Sequence, residues 1–165
     1  MILKSPPLYL TYIIFGLGVL LAVWILQYGF GFQPCPLCYY QRYPWWLMIF
    51  LGLLSALSNY IYKRQNSHYG FMLILGIFVM IFSMMLAGYH AGIEWKLWQG
   101  PAHCTAVEMI DPLTKTIDDF FSAANVTNCD KPALIFAGLS LSGWNFIASL
   151  VVMVYLLFLL FAKHR

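Results

Sequence analysis

Charge is what this sequence has least of: nine Lys and Arg and six Asp and Glu among 165 residues, 9% in all, where a soluble domain carries about 25%. With 62% hydrophobic and 18% aromatic residues, that scarcity excludes both an ordinary water-soluble domain and a disordered chain. Internal repeats, low-complexity tracts and a composition break are lacking too, so residues 1–165 are expected to form a single membrane domain. The formal net charge of +3 is too small and too scattered for nucleic-acid binding. What the sequence has instead is four apolar runs nearly free of charge: residues 8–32, 43–62, 69–93 and 133–162. A bilayer core about 30 Å thick needs about 20 apolar residues of helix, and each run is long enough. The expected fold is all-α and integral to a membrane, a bundle of four transmembrane helices.

The first run, although preceded by Lys4, is longer than the roughly 7 to 15 apolar residues of a signal peptide and offers no small-x-small cleavage site. It is expected to stay as a span. Four spans put the N-terminus, the 63–68 loop and the C-terminus on one side. That side carries Lys4, Lys63, Arg64, Lys163 and Arg165 and no acid, which marks it as cytoplasmic. The loops 33–42 and 94–132 fall on the other side, and all four cysteines lie in them: Cys35 and Cys38 in the first, Cys104 and Cys129 in the second. Disulfides persist on that side of a membrane. Within the second loop, Asp111 and Pro112 read as the start of a helix, and Leu113, Ile117, Phe120, Phe121 and Ala124 recur at helical spacing. A short amphipathic helix is expected there, lying on the membrane or packed on the bundle. Gly88 and Gly92 in "GYHAG" match a helix-packing pattern. The sequon at Asn125 is too short a match to carry meaning.

The cysteine spacings suggest two kinds of pair. A bridge within Cys35-Pro-Leu-Cys38 would close too small a loop to stabilise a four-helix protein much. Redox chemistry is the better reason for it, because a Cys-x-x-Cys motif at a helix N-terminus lowers a thiol from about 8.5 into a range of about 3.5 to 7.5. Arg42, about one turn beyond Cys38, would favour a Cys38 thiolate, or would serve as an interfacial anchor. Tyr39 in place of histidine rules out the haem-attachment motif. A bridge from Cys104 to Cys129 would be worth roughly 3.5 kcal/mol in the chain-entropy account, so a purely structural disulfide is credible, as is thiol exchange with the first pair. A zinc site drawing on His90 or His103 is the metal alternative. The C-x-x-C spacing of only one pair argues against it, and no metal is expected. His90, an ionisable residue near the end of a span, is a functional candidate by position.

Taken together, "PCPLCYYQR", "GYHAGIEWKLWQGPAHCT" and "CDKPALIFAGLSLSGWN" resemble the bacterial disulfide bond formation protein B family, over nearly the whole chain. The resemblance implies an inner-membrane thiol:quinone oxidoreductase. It would reoxidise a periplasmic thioredoxin-fold dithiol oxidase of the DsbA type, with ubiquinone or menaquinone as acceptor. Carried over by position, Cys104 would form the mixed disulfide with that partner and Cys129 would complete the loop pair. Cys35 would receive electrons from Cys129, and Cys38 would contact the quinone with Arg42 and His90 lining its site. Such a partner is strongly oxidising, at about −120 mV. An ordinary structural disulfide below about −300 mV would fall short as its acceptor by about 180 mV, or roughly 8 kcal/mol. A quinone dissolved in the membrane would supply the missing drive, which accounts for a thiol pair at the membrane edge.

Overall fold

The computed structural model describes residues 7–62, 69–101, 104 and 128–163. Four helical segments in it are long and apolar enough to cross a membrane: Leu8–Gly29, Pro36–Ile61, Tyr69–Glu94 and Leu141–Ala162. The first is helix α1 (Leu8–Trp24) extended by a π-helical turn, Ile25–Gly29. A short helix α2 (Pro36–Tyr40) then leads through Gln41 and Arg42 into α3 (Tyr43–Tyr62). Helix α4 (Tyr69–Glu94) follows, and α5 (Leu141–Lys163) closes the bundle. The dominant pairings are α1 on α3 and α4 on α5, joined by α3 against α4.

The apolar runs explain the helices and their exterior. With lipid outside, every backbone N–H and C=O must be satisfied within the segment, which a helix achieves. Phe71, Phe78, Phe158 and Phe161 are exposed on the outside of the bundle, a surface that lipid rather than water would cover. Inside, Tyr12, Leu20, Trp45, Met48, Leu73, Met80, Val152 and Leu156 form the core. Its polar contacts are small and paired. The Tyr12 hydroxyl donates to the Met72 carbonyl at 2.7 Å, and the Ser83 and Ser149 hydroxyls meet at 2.8 Å between α4 and α5, as expected where helices pack without water.

Two expectations change in detail. The run expected to span from residue 133 becomes helical only at Leu141: Ile135–Phe136 (β1) and Leu139–Ser140 (β2) pair as a small antiparallel hairpin. Its turn places Ala137 and Gly138 at φ 50° and 79°, the left-handed pair that tight hairpins use. A continuous apolar run does not distinguish strand from helix, so composition could not place this boundary. In "GYHAG", Gly88 does lie against a helix, with Phe146 of α5 3.4 Å from where its Cβ would stand. Gly92 instead receives the Trp98 indole folding back from the turn after α4. That indole donates to the Tyr89 carbonyl at 2.9 Å and stacks on the Tyr89 ring. The amphipathic helix expected around residues 111–124 lies outside the described residues.

Candidate active site

Both cysteine pairs come together at one end of the bundle. Cys35, Cys104 and Cys129 share a buried apolar cluster with Leu37 and Ile93, and Cys38 packs against it. Residues 35–38, far away in sequence, therefore meet Cys104 and Cys129 in space. Cys104 and Cys129 are joined by a disulfide with Cα atoms 5.2 Å apart, and both are buried. Backbone bonds hold that pair in place: Cys104 N–H to the Pro101 carbonyl at 2.8 Å and Cys129 N–H to the Cys104 carbonyl at 3.2 Å. Next to it, the Lys96 ammonium meets the Asp130 carboxylate at 2.9 Å. This pairing lowers the Asp130 pKa and ties the turn after α4 to the residue following Cys129.

Cys35 and Cys38 are unbonded, with their sulfurs 2.8 Å apart. The local sequence explains the geometry. Pro36 occupies the first turn of α2, where a missing N–H leaves no helical bond unmade. Cys35 is the residue capping that helix, and its Sγ accepts the Cys38 N–H at 3.3 Å. The His90 Nε2 stands 3.6 Å from the same sulfur. The Cys38 N–H and His90 thus both face the Cys35 sulfur, which favours negative charge there. The Cys38 hydrogen bond lowers Cys35 from 9.0 to about 5, with His90 adding to the effect and burial opposing it. Arg42 was expected to favour a thiolate at Cys38; the donors at this motif stand against Cys35. A helix offers its free N–H groups to the residue before it, which is Cys35.

Arg42 points elsewhere. Its Nη1 donates to the Gln27 Oε1 at 2.8 Å, and its guanidinium lies 4.8 Å from the centre of the Tyr39 ring, a cation–π distance. Both Arg42 and Cys38 line a cavity of about 290 Å³ between α1, α3 and α5. Its walls are mainly apolar, with Val19, Leu26, Phe32 and Trp45 among them, and its polar groups include Gln27, Gln41 and Asn145. His90 is not among the lining residues. It is buried behind Gln41, whose Nε2 lies 2.7 Å from the His90 Nδ1.

Several groups here escaped the sequence reading. Glu94 stands in the sequence only as one of six acids. Its side chain is buried, one carboxylate oxygen 3.8 Å from the His90 Nε2 and the other accepting from both the Ser140 and Ser142 hydroxyls. The four-residue spacing from His90 was the available signal. Gln41 and Asn145 carried none beyond being polar near the ends of apolar runs. Cys35, Cys38 and His90 offer ligand atoms within 4.8 Å of one another, a grouping that invites a metal reading. Two thiolates on one tetrahedral zinc, however, stand about 3.8 Å apart, and these sulfurs are at 2.8 Å, closer than such a site would hold them. His103 lies outside the described residues.

Comparison with known proteins points the same way. Residues 5–159 match the family described as Disulfide bond formation protein DsbB. The chain is 28% identical over 160 residues to Uncharacterized protein RP370 of Rickettsia prowazekii, covering 96% of this chain and 89% of that one. It is 30% identical over 150 residues to a Disulfide bond formation protein B of Cupriavidus necator, covering 87% of this chain and 85% of the relative. A protein of the same name from Albidiferax ferrireducens is 28% identical over 139 residues, 80% of this chain and 74% of its own length. No solved structure matches the chain.

Proposed function

The chain belongs to the disulfide bond formation protein DsbB family, and from that premise we propose that it is a thiol:quinone oxidoreductase of the bacterial inner membrane. In this reading the cysteine-bearing end faces the periplasm and both termini face the cytoplasm, as the basic residues of the other side favour. The reductant is a periplasmic thioredoxin-fold dithiol oxidase of the DsbA type, and the acceptor comes from the membrane's ubiquinone or menaquinone pool. One observation carries the reading: Cys35 is buried in the same cluster as Cys104 and Cys129, while its neighbour Cys38 lines an apolar cavity with a cation in its wall.

The cavity suits a quinone by its donor set. Apolar walls fit an uncharged ring, and Arg42, Gln41 and Asn145 offer N–H groups to ring oxygens. A bound quinone would supply the two-electron, two-proton acceptor. The chain's residues do the rest. Cys104 takes the partner's attacking thiolate into a mixed disulfide, and Cys129 leaves as a thiolate. Cys129 then attacks Cys35 of a Cys35–Cys38 disulfide and expels Cys38 as a thiolate, across a cluster that already holds the Cys129 and Cys35 sulfurs in apolar surroundings. The partner's second thiol displaces Cys104 and the partner leaves oxidised; the freed Cys104 then attacks Cys129, which re-forms their disulfide and leaves Cys35 and Cys38 as a dithiol, the arrangement of bonded and free cysteines in the structure. The Cys38 N–H and His90 hold the Cys35 sulfur in place. Arg42, fixed by Gln27, presents a positive charge where negative charge develops.

The test is optical: quinone reduction by purified protein given a reduced thioredoxin-fold dithiol protein, with Cys38→Ala as control. Turnover lost in the control is expected. Full turnover without Cys38 would overturn the relay.

A further inference from the structure

Four side chains form one unbroken hydrogen-bonded line that ends beside the dithiol. Trp45 Nε1 donates to Asn145 Oδ1 at 2.8 Å, Asn145 Nδ2 donates to Gln41 Oε1 at 2.8 Å, and Gln41 Nε2 lies 2.7 Å from His90 Nδ1. The line joins α3, α5 and α4. Trp45 and His90, its two ends, are 1% and 2% exposed, so water does not reach them to substitute for a misaligned partner.

The direction of every bond in this line is decided at the tryptophan. An indole N–H donates and never accepts, so Asn145 must turn its carbonyl oxygen toward Trp45. Its amide nitrogen then faces Gln41, which must answer with its own carbonyl. The Gln41 amide nitrogen, a donor only, is left facing His90 Nδ1, which must be a bare acceptor. The one ring hydrogen of a neutral imidazole therefore sits on Nε2. An imidazolium, with hydrogen on both ring nitrogens, would set Nδ1–H against the Gln41 amide hydrogens.

We propose that Trp45, acting through Asn145 and Gln41, is a positioning residue that locks His90 in its Nε2–H form, so that His90 donates to the Cys35 sulfur and does not take up its proton. The inference deepens the proposed redox function, since it rests on Cys35 and Cys38 being the reacting dithiol. What faces Nε2 agrees with a donor there. The titratable groups around the ring are Cys35, with Cys38 beside it, and Glu94 on the ring's own helix; the Cys129 backbone also acts on it. A thiolate and a carboxylate held by two serine hydroxyls each seek a hydrogen, and neither offers one. The consequence is a division of labour: His90 stabilises Cys35 as an anion in every cycle, and the thiol protons leave by another route. Gln41, Asn145 and Trp45 also line the cavity, so the element that fixes the histidine forms part of the wall.

The experiment is nitrogen NMR of the reduced full-length protein labelled with 15N-histidine, with His90→Gln to assign the signals. A bare Nδ1 and a protonated Nε2 are expected. A protonated Nδ1, alone or together with Nε2, would overturn the proposal. In Trp45→Phe the decision point is removed, and the two ring signals should move toward each other as both tautomers are populated; a spectrum identical to the wild type would remove Trp45 from its role. The wild-type spectrum decides the tautomer even if that variant does not fold. Quinone turnover measured on the same wild-type sample keeps the two readings apart: a bare Nδ1 without turnover would sink the function and leave the tautomer standing, and turnover with a protonated Nδ1 would do the reverse.

Discussion

If Cys35 is the anionic member of its pair, acidity is the condition that exposes it. A thiol lowered from 9.0 to about 5 is almost wholly thiolate at neutral pH, where one left at 9.0 is about 1% ionised. Reaction rate at neutrality is nonetheless a poor test. Intrinsic nucleophilicity falls with pKa at a Brønsted slope of about 0.4 to 0.5, so four units cost about 40- to 100-fold and nearly cancel the gain in population. At about pH 5.5 the balance changes: the populations differ about 2,400-fold, leaving a net advantage of about 20- to 60-fold. The assay is exchange of the reduced protein with a small disulfide reagent across pH, read by mass spectrometry on the peptides carrying Cys35 and Cys38. The sign follows from the direction of the shift. A lowered pKa keeps the thiolate above about 5, and reactivity is lost as pH falls through that value. Cys38→Ala removes the largest stabilising contact and should move the midpoint upward. A wild-type midpoint near 9, or labelling of Cys38 ahead of Cys35 in acid, would refute the assignment of charge.

Three further outcomes follow from the same contacts. Arg42→Ala should weaken quinone use by about 10- to 160-fold, the range of a hydrogen bond from a charged group at about 1.5 to 3 kcal/mol; Gln27→Ala, which frees the guanidinium and takes one polar group from the cavity wall, should act in the same direction and less, and unchanged quinone kinetics in both would take Arg42 out of the site. Glu94→Ala strips two serine hydroxyls of their shared acceptor and should cost about 1 to 3 kcal/mol, seen as a lower apparent Tm in detergent, with Glu94→Gln recovering most of it; equal Tm values for all three proteins would show the contact to be idle. Cys104→Ala should abolish electron entry from the protein partner while a small dithiol still drives quinone reduction through Cys35 and Cys38. Loss of both activities would mean that Cys104 serves the fold of the site rather than delivery.

The sequence by itself determined the solvent, the number of spans and the chemistry. Apolar length is a one-dimensional property, so four runs of sufficient length required four helices, and the Cys-x-x-C spacing announced a dithiol before any contact was known. Boundaries were less legible: Ile135, Phe136 and Leu139 are as apolar as the helix that follows them, and only the left-handed turn at Ala137 and Gly138 shows them to be a hairpin. Which sulfur carries the charge was decided by tertiary structure, because it depends on which residue caps α2 and on where His90 of a distant helix comes to rest. The same holds for Arg42, which turns to Gln27 across the bundle, and for His90, which faces the dithiol instead of the cavity. Gln41 and Asn145 were invisible as site residues for a common reason. Each acts through partners 49 to 104 positions away, and a pairing at that distance exists only once the helices have packed; of Glu94, only the four-residue spacing from His90 could be read, and its serine partners lie 46 and 48 positions away.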